Sequence, residues 1–155
     1  MSDLKPSSIP LDFISSSEEE SLAWAEEFSK LIGPGDCVFL LGNLGAGKTV
    51  LSRGISKGLG YQGSVHSPTY SLVHEYENDP LIYHIDLYRL PEGADFEEIG
   101  LDYYRFNEGI SLIEWPERLG HWSLDWTWTI ELNYVDADEN QRHIRAVRVS
   151  DIPEK

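Results

Sequence analysis

Apolar residues recur along the chain with two different periods. Between Ser17 and Ile32 the spacing is helical: Leu22, Ala25, Phe28 and Ile32 share one face, widened by Trp24 and Leu31. In front of them Ser17-Glu18-Glu19-Glu20 forms a capping box, with a hydroxyl for the first-turn N–H groups, Glu20 reaching back, and three acids at the positive helix end. The pattern predicts a helix that starts at Ser17, packs its stripe into a core and stops at Gly33-Pro34. Cys37-Val38-Phe39-Leu40-Leu41 is apolar at every position, as expected of a strand buried on both faces of a largely parallel sheet. From about Lys48 a second helix is expected, with Leu51, Ile55 and Leu59 on one face, losing direction at Gly58-Leu59-Gly60.

The second half of the chain is dominated by strands. Residues 61 to 67 have loop composition, and Pro68 holds Ser67 away from helical geometry. A strand beginning at Thr69 or Tyr70 and ending at Tyr76, and another from Leu81 to Asp86, flank the turn cluster Glu77-Asn78-Asp79-Pro80 and are expected to pair as a hairpin. Phe96, Ile99, Tyr103 and Phe106 then recur at helical spacing, which predicts one helix broken near Gly100, or two short ones, over 94 to 106, closed by Asn107-Glu108-Gly109. Ile110 to Ile113 is a short strand ending in Glu114. Thr127 to Tyr134 alternates, with Trp128, Ile130, Leu132 and Tyr134 on the apolar side, so it should be a strand with one wet face. After the turn at 136 to 140, Arg142 to Val149 returns as its antiparallel partner. Residues 1 to 12, rich in serine and containing Pro6 and Pro10, read as a mobile tail, leaving 13 to 155 as a single domain ordered from about Phe13.

Composition narrows the class of protein. The chain has 155 residues with ordinary apolar and charged fractions, and its apolar runs fall far short of the roughly 20 residues that span a bilayer. With no signal-peptide pattern, a cytoplasmic protein without a membrane role is expected. The single cysteine, Cys37, excludes an internal disulfide and reads as a small core residue. The formal net charge of −15 repels nucleic acid, so any role in nucleic-acid metabolism should run through a partner.

The candidate chemistry starts at Gly42-Asn43-Leu44-Gly45-Ala46-Gly47-Lys48-Thr49, which satisfies G-x-x-x-x-G-K-[ST] directly after a buried strand and before a helix. Its glycines let backbone N–H groups curl around a phosphate, Lys48 adds a point charge for the β- and γ-phosphates, and the Thr49 hydroxyl is a ligand for Mg²⁺. Hydrolysis also requires a carboxylate on the metal and a group to orient water. Asp86 and Glu114 each close an apolar strand, and either fits the metal carboxylate by position. Ser67-Pro68-Thr69 reads equally as a rigid turn or as a γ-phosphate sensor, and Trp115 as a core anchor or a wall over the site. Arg89 and Arg118 read as solvent-facing, the five histidines show no ligand spacing, and His84 reads as a packed strand residue.

Four stretches together resemble the bacterial TsaE (YjeE) family of P-loop ATPases required for threonylcarbamoyladenosine in tRNA. They are the phosphate loop, Ser67-Pro68-Thr69-Tyr70-Ser71-Leu72-Val73, Tyr83-His84-Ile85-Asp86-Leu87-Tyr88-Arg89 and Leu112-Ile113-Glu114-Trp115-Pro116-Glu117, with Ile99-Gly100-Leu101 between the last two. The first pattern is common to P-loop proteins and the other three are specific to this family. The resemblance implies an α/β, three-layer P-loop NTPase fold whose mixed sheet has a parallel core flanked by antiparallel strands. It also implies ATP at residues 42 to 50, Mg²⁺ on Thr49 and Glu114, a switch at Thr69, Asp86 required for hydrolysis, and Trp115 in the same functional motif. The segment around Ile14 to Ser16 is a candidate lining for adenine. The implied partner is a TsaD-TsaB type complex, with tRNA reached only indirectly through it. Two positions depart from the family pattern: Val50 replaces a frequent Thr and loses a hydroxyl to the α-phosphate, and Asn43 replaces a frequent Asp. A small-molecule kinase would need an arginine-bearing lid, and a GTP-driven switch an [NT]-K-x-D motif; neither is evident in the chain.

Overall fold

In the computed structural model, which describes residues 9–43, 45–65, 72–90, 93–95, 100–101, 106–121, 126–135 and 138–151, the elements run β1 (Asp12–Ser15), α1 (Glu18–Phe28), β2 (Cys37–Gly42), α2 (Lys48–Gly58), β3 (Val73–Tyr76), β4 (Ile82–Asp86), β5 (Ala94–Asp95), β6 (Ile110–Glu114), β7 (Leu119–His121), β8 (Trp128–Val135) and β9 (Asp138–Arg148). Seven strands form one sheet in the order β1-β9-β8-β2-β6-β4-β3, and β5 pairs with β7 separately. β2 lies parallel to both β6 and β8, and β4 lies parallel to β6. β3, β9 and β1 join antiparallel at the two sides. The expected mixed α/β sheet with a parallel core is therefore present.

β2 is apolar throughout because it faces two cores. Val38 and Leu40 belong to the larger one, with Trp24, Ala25 and Phe28 of α1, Leu51 and Ile55 of α2, and Trp128, Ile130 and Leu132 of β8. Cys37 and Phe39 belong to the other, with Tyr83, Ile85, Leu87, Leu101, Phe106 and Ile113. Burial raises the Cys37 thiol pKa far above its usual value, in keeping with an unreactive packing residue. Among the described residues no helix is long and apolar enough to cross a membrane.

Local sequence signals set most element ends. The Ser17 hydroxyl accepts from the Glu20 N–H at 3.1 Å, while the Glu20 carboxylate reaches one residue further back than expected, to the Ser16 N–H at 2.9 Å. α1 ends at Phe28 and tightens into a 3₁₀ turn at Ser29–Leu31 before Gly33. α2 and the β3–β4 hairpin form as expected from β3's first residue, Val73; 66 to 71 lie outside the described residues.

Three expectations need correction. Structure begins before Phe13: Ile9 is buried, the Trp24 indole donates to Pro10 O at 2.7 Å, and Asp12–Ser15 is an edge strand on β9. The ends of the segment expected to be helical over 94 to 106 are not helical, Ala94–Asp95 being extended and Phe106–Glu108 a 3₁₀ turn, while 96 to 99 and 102 to 105 lie outside the described residues. Gly100, at φ +83°, takes a left-handed conformation where the interruption is expected. Finally, Tyr134 leaves the buried face of β8 and is exposed, because the cores end at Leu132.

α1 and α2 cross closely at Gly54, where an added Cβ would lie 2.6 Å from Ala25 Cβ and 2.8 Å from Leu22 O. Alanine gains about 1 kcal/mol of helix propensity there, but overpacking costs about 1–3 kcal/mol. Gly54→Ala should therefore lower the urea midpoint of unfolding. An unchanged or raised midpoint would contradict the close helix contact.

Candidate active site

Three parallel strands deliver the candidate residues to one edge of the sheet. In the register of β2, β6 and β4, Leu40 pairs with Glu114 and Glu114 with Asp86, so both acids and the loop after β2 meet at the strands' carboxyl ends. Gly42 closes β2 hard against β8, where a Cβ would lie 2.6 Å from Leu132 O. Gly47, at φ +113°, is the left-handed N-cap of α2, and the helix has no acidic residue in its first turn. Its positive end thus points into the loop. Leu44 and Thr69 lie outside the described residues.

Lys48 is buried, with 5% of its surface exposed. Its ammonium donates to Gly42 O at 2.5 Å and lies 3.6 Å from the centre of the Trp115 ring. Burial lowers its pKa, opposed by the neighbouring charges of Glu114, Glu117 and Asp86. Trp115 is the one non-glycine residue at positive φ, +61°, among the described residues, a backbone cost on the order of 1–3 kcal/mol. That twist after β6 turns the indole over Lys48. Tyr88 packs against the Trp115 ring at 4.9 Å, and the Arg118 guanidinium lies 5.3 Å from Tyr88 and 5.6 Å from Trp115, so Arg118 borders the site.

Glu114 is 3% exposed, and a buried carboxylate requires partners. Its oxygens lie 3.4 and 3.5 Å from the Thr49 hydroxyl, and Oε2 lies 2.6 Å from His84 Nε2. His84 is fully buried and its Nδ1 lies 2.8 Å from the Tyr76 hydroxyl. The histidine is a packed strand residue as expected, but its bond to Glu114 was not legible. Asp86 stands beside Glu114 at the sheet edge, its Oδ1 accepting from the Tyr88 N–H at 3.0 Å.

Two cavities meet at the loop. One of about 240 Å³ is lined by Lys48, Thr49, Asp86, Tyr88, Glu114 and Trp115, together with Gly45, Gly47 and Val50. The other, about 480 Å³, shares Gly45, Gly47 and Val50 and continues along Ser16, Ser17, Glu18, Ser21, Leu132, Asn140 and Arg142. Arg142, missed in the sequence, donates from Nε to Ala46 O at 3.0 Å and stacks its guanidinium 4.2 Å from the Tyr134 ring centre. No local motif marks it, since its loop partner lies 96 residues away. Neighbouring ligands of octahedral Mg²⁺, bound at about 2.0–2.1 Å, are about 3 Å apart, so the Thr49–Glu114 pair fits such an ion after a small closure.

A family model described as threonylcarbamoyl adenosine biosynthesis protein TsaE matches residues 15–144. A Treponema pallidum protein named tRNA threonylcarbamoyladenosine biosynthesis protein TsaE is 36% identical over 128 residues, spanning 83% of this chain and 94% of the relative. A Haemophilus influenzae protein of the same name is 51% identical over 82 residues, a match spanning about half of each, 52%. The crystal structure of Bacillus subtilis YdiB superposes with a TM-score of 0.68 at 28% identity, covering 89% of this chain and 84% of that one.

The setting of Asp86 has a measurable consequence. Burial raises its pKa above the ordinary 3.8, with Glu114 acting in the same direction and the Tyr88 N–H, His84 and Lys48 opposing. The folded state therefore binds more protons than the unfolded state above pH 3.8, and stability is lost as pH rises through the folded pKa. Asp86→Asn keeps an acceptor for Tyr88 and removes the charge. Without nucleotide or metal it should melt higher than the wild type at pH 7, with the difference closing toward pH 4. A variant that melts lower at pH 7 would contradict the burial cost.

Proposed function

The chain belongs to the TsaE family of threonylcarbamoyladenosine biosynthesis, and on that premise we propose that it is a Mg²⁺-dependent ATPase serving this modification of tRNA. The observation that carries the proposal is the convergence of Thr49 and Glu114, 3.4–3.5 Å apart, beside the buried Lys48 at the mouth of the phosphate loop. Membership of the family, and the likeness to YdiB, support nucleotide binding.

In this reading the charged cavity takes the phosphates and the neighbouring one, bordered by Ser16, Ser17 and Arg142, takes the nucleoside. Backbone N–H groups of the loop and the first turn of α2 cradle the phosphate oxygens. Lys48 exchanges Gly42 O and the Trp115 face for the β- and γ-phosphates. Thr49 and Glu114 would hold Mg²⁺, which when bound neutralises charge on the phosphates being separated. Asp86 accepts a hydrogen bond from the attacking water, and Trp115 closes the cavity against bulk solvent. Thr69 senses the γ-phosphate. Val50 leaves the backbone N–H as its contact to the α-phosphate, and Asn43 removes one negative charge from the family pattern.

The acidic chain, with a net charge of −15, is suited to docking on a protein, so tRNA is reached only through a TsaD-TsaB type complex. Phosphate release from ATP, with and without that pair, tests the whole reading. Turnover should rise when the pair is added, and Glu114→Ala should lose about a hundredfold or more, the scale of several kcal/mol of charge stabilisation. Wild-type turnover in Glu114→Ala would remove the metal assignment, and turnover indifferent to the pair would remove the partner.

A further inference from the structure

Glu114 is approached from two sides. Thr49 faces it from the loop, whereas His84 and Tyr76 reach it from inside the sheet, on the face covered by α1 and α2. His84 pairs with Leu112 in the β4–β6 register, one step diagonal from Glu114, which brings the imidazole to the carboxylate. Charge and valence order the protons. A carboxylate that ligates a metal is ionised and only accepts, so His84 Nε2 carries a hydrogen and donates to Oε2, while Nδ1 is partnered by the Tyr76 hydroxyl, which can donate or accept. The Tyr76 ring is itself held, stacked on Tyr61 at 4.7 Å and 18°.

We propose that His84 is a positioning residue which, with Tyr76 behind it, holds Glu114 in the orientation that takes the metal. The bond at 2.6 Å fixes the carboxylate plane and occupies one lone pair of Oε2, leaving the remaining oxygen positions turned toward Thr49. Groups that orient a metal ligand raise affinity without touching the metal. This inference rests on the reading of Glu114 as a Mg²⁺ ligand.

Binding of a fluorescent ATP analogue to the full chain, titrated with Mg²⁺ and repeated in EDTA, separates metal from nucleotide. His84→Leu should raise the half-saturating Mg²⁺ concentration about tenfold or more while leaving affinity in EDTA within about twofold, since only the ligand's support is lost. His84→Gln, whose amide can donate from near the Nε2 position, should restore most of the affinity. Tyr76→Phe keeps the stack on Tyr61 and should shift the titration the same way by a smaller factor. A folded His84→Leu with a wild-type Mg²⁺ titration overturns the inference, as does an equal loss in EDTA. If that variant does not fold, an unshifted Tyr76→Phe overturns it. Glu114→Gln distinguishes the two levels: no shift there refutes Glu114 as a ligand, whereas a shift there with none in His84→Leu refutes the positioning role alone.

Discussion

The parallel register of β2, β6 and β4 is the constraint on which the site depends. It sets Leu40, Glu114 and Asp86 at one level, where the phosphate loop leaves the sheet. A slip of one residue would turn Glu114 to the opposite face, away from Thr49. Such a slip is strongly opposed because β6 buries both of its faces, Leu112 in one core and Ile113 in the other. The apolar strands thus specify the position of the acids at their ends, and packing and chemistry share one cause.

Electrostatics at the loop run against the character of the chain. In a protein of net charge −15, the one buried lysine among the described residues is held by a carbonyl oxygen and an indole face. The charges of Glu114, Glu117 and Asp86 favour the ammonium against its burial, but its direct partners are neutral, so a phosphate displaces a hydrogen bond and a cation–π contact. The strained backbone of Trp115 is part of that arrangement, since it carries the ring over Lys48. Glu114, by contrast, is tied on both sides.

What the sequence reveals follows the range of the interactions. The capping hydroxyl of Ser17, the doubly buried β2, the helix start at Lys48 and the acids closing β4 and β6 are local signals, and each appears where the pattern places it. The edge strand β1 was hidden because Asp12–Ser15 owes its form to β9, far along the chain, and its apolar residues Phe13 and Ile14 are adjacent while the buried position is Ser15, so no apolar alternation marks it. In the segment over 94 to 106 the left-handed Gly100 stands where helical spacing breaks in the sequence, but Ala94–Asp95 is extended because it pairs with Leu119–His121, a partner that no local signal reveals. His84 and Arg142 carry no local motif; their partners Glu114 and Ala46 lie 30 and 96 residues away. Recognition of the family came from three short motifs, and the bonds linking those motifs came only with the fold.

The central claim is that Lys48, Thr49 and Glu114 form one nucleotide and metal site at the end of the parallel strands. A crystal structure with Mg²⁺ and a non-hydrolysable ATP analogue tests it most directly. The account predicts phosphates within the loop, the metal on Thr49 Oγ1 and Glu114, and the Lys48 ammonium moved from Gly42 O and Trp115 to the phosphates. A metal bound away from Glu114, or a Lys48 still seated beneath Trp115 with the nucleotide in place, would contradict it.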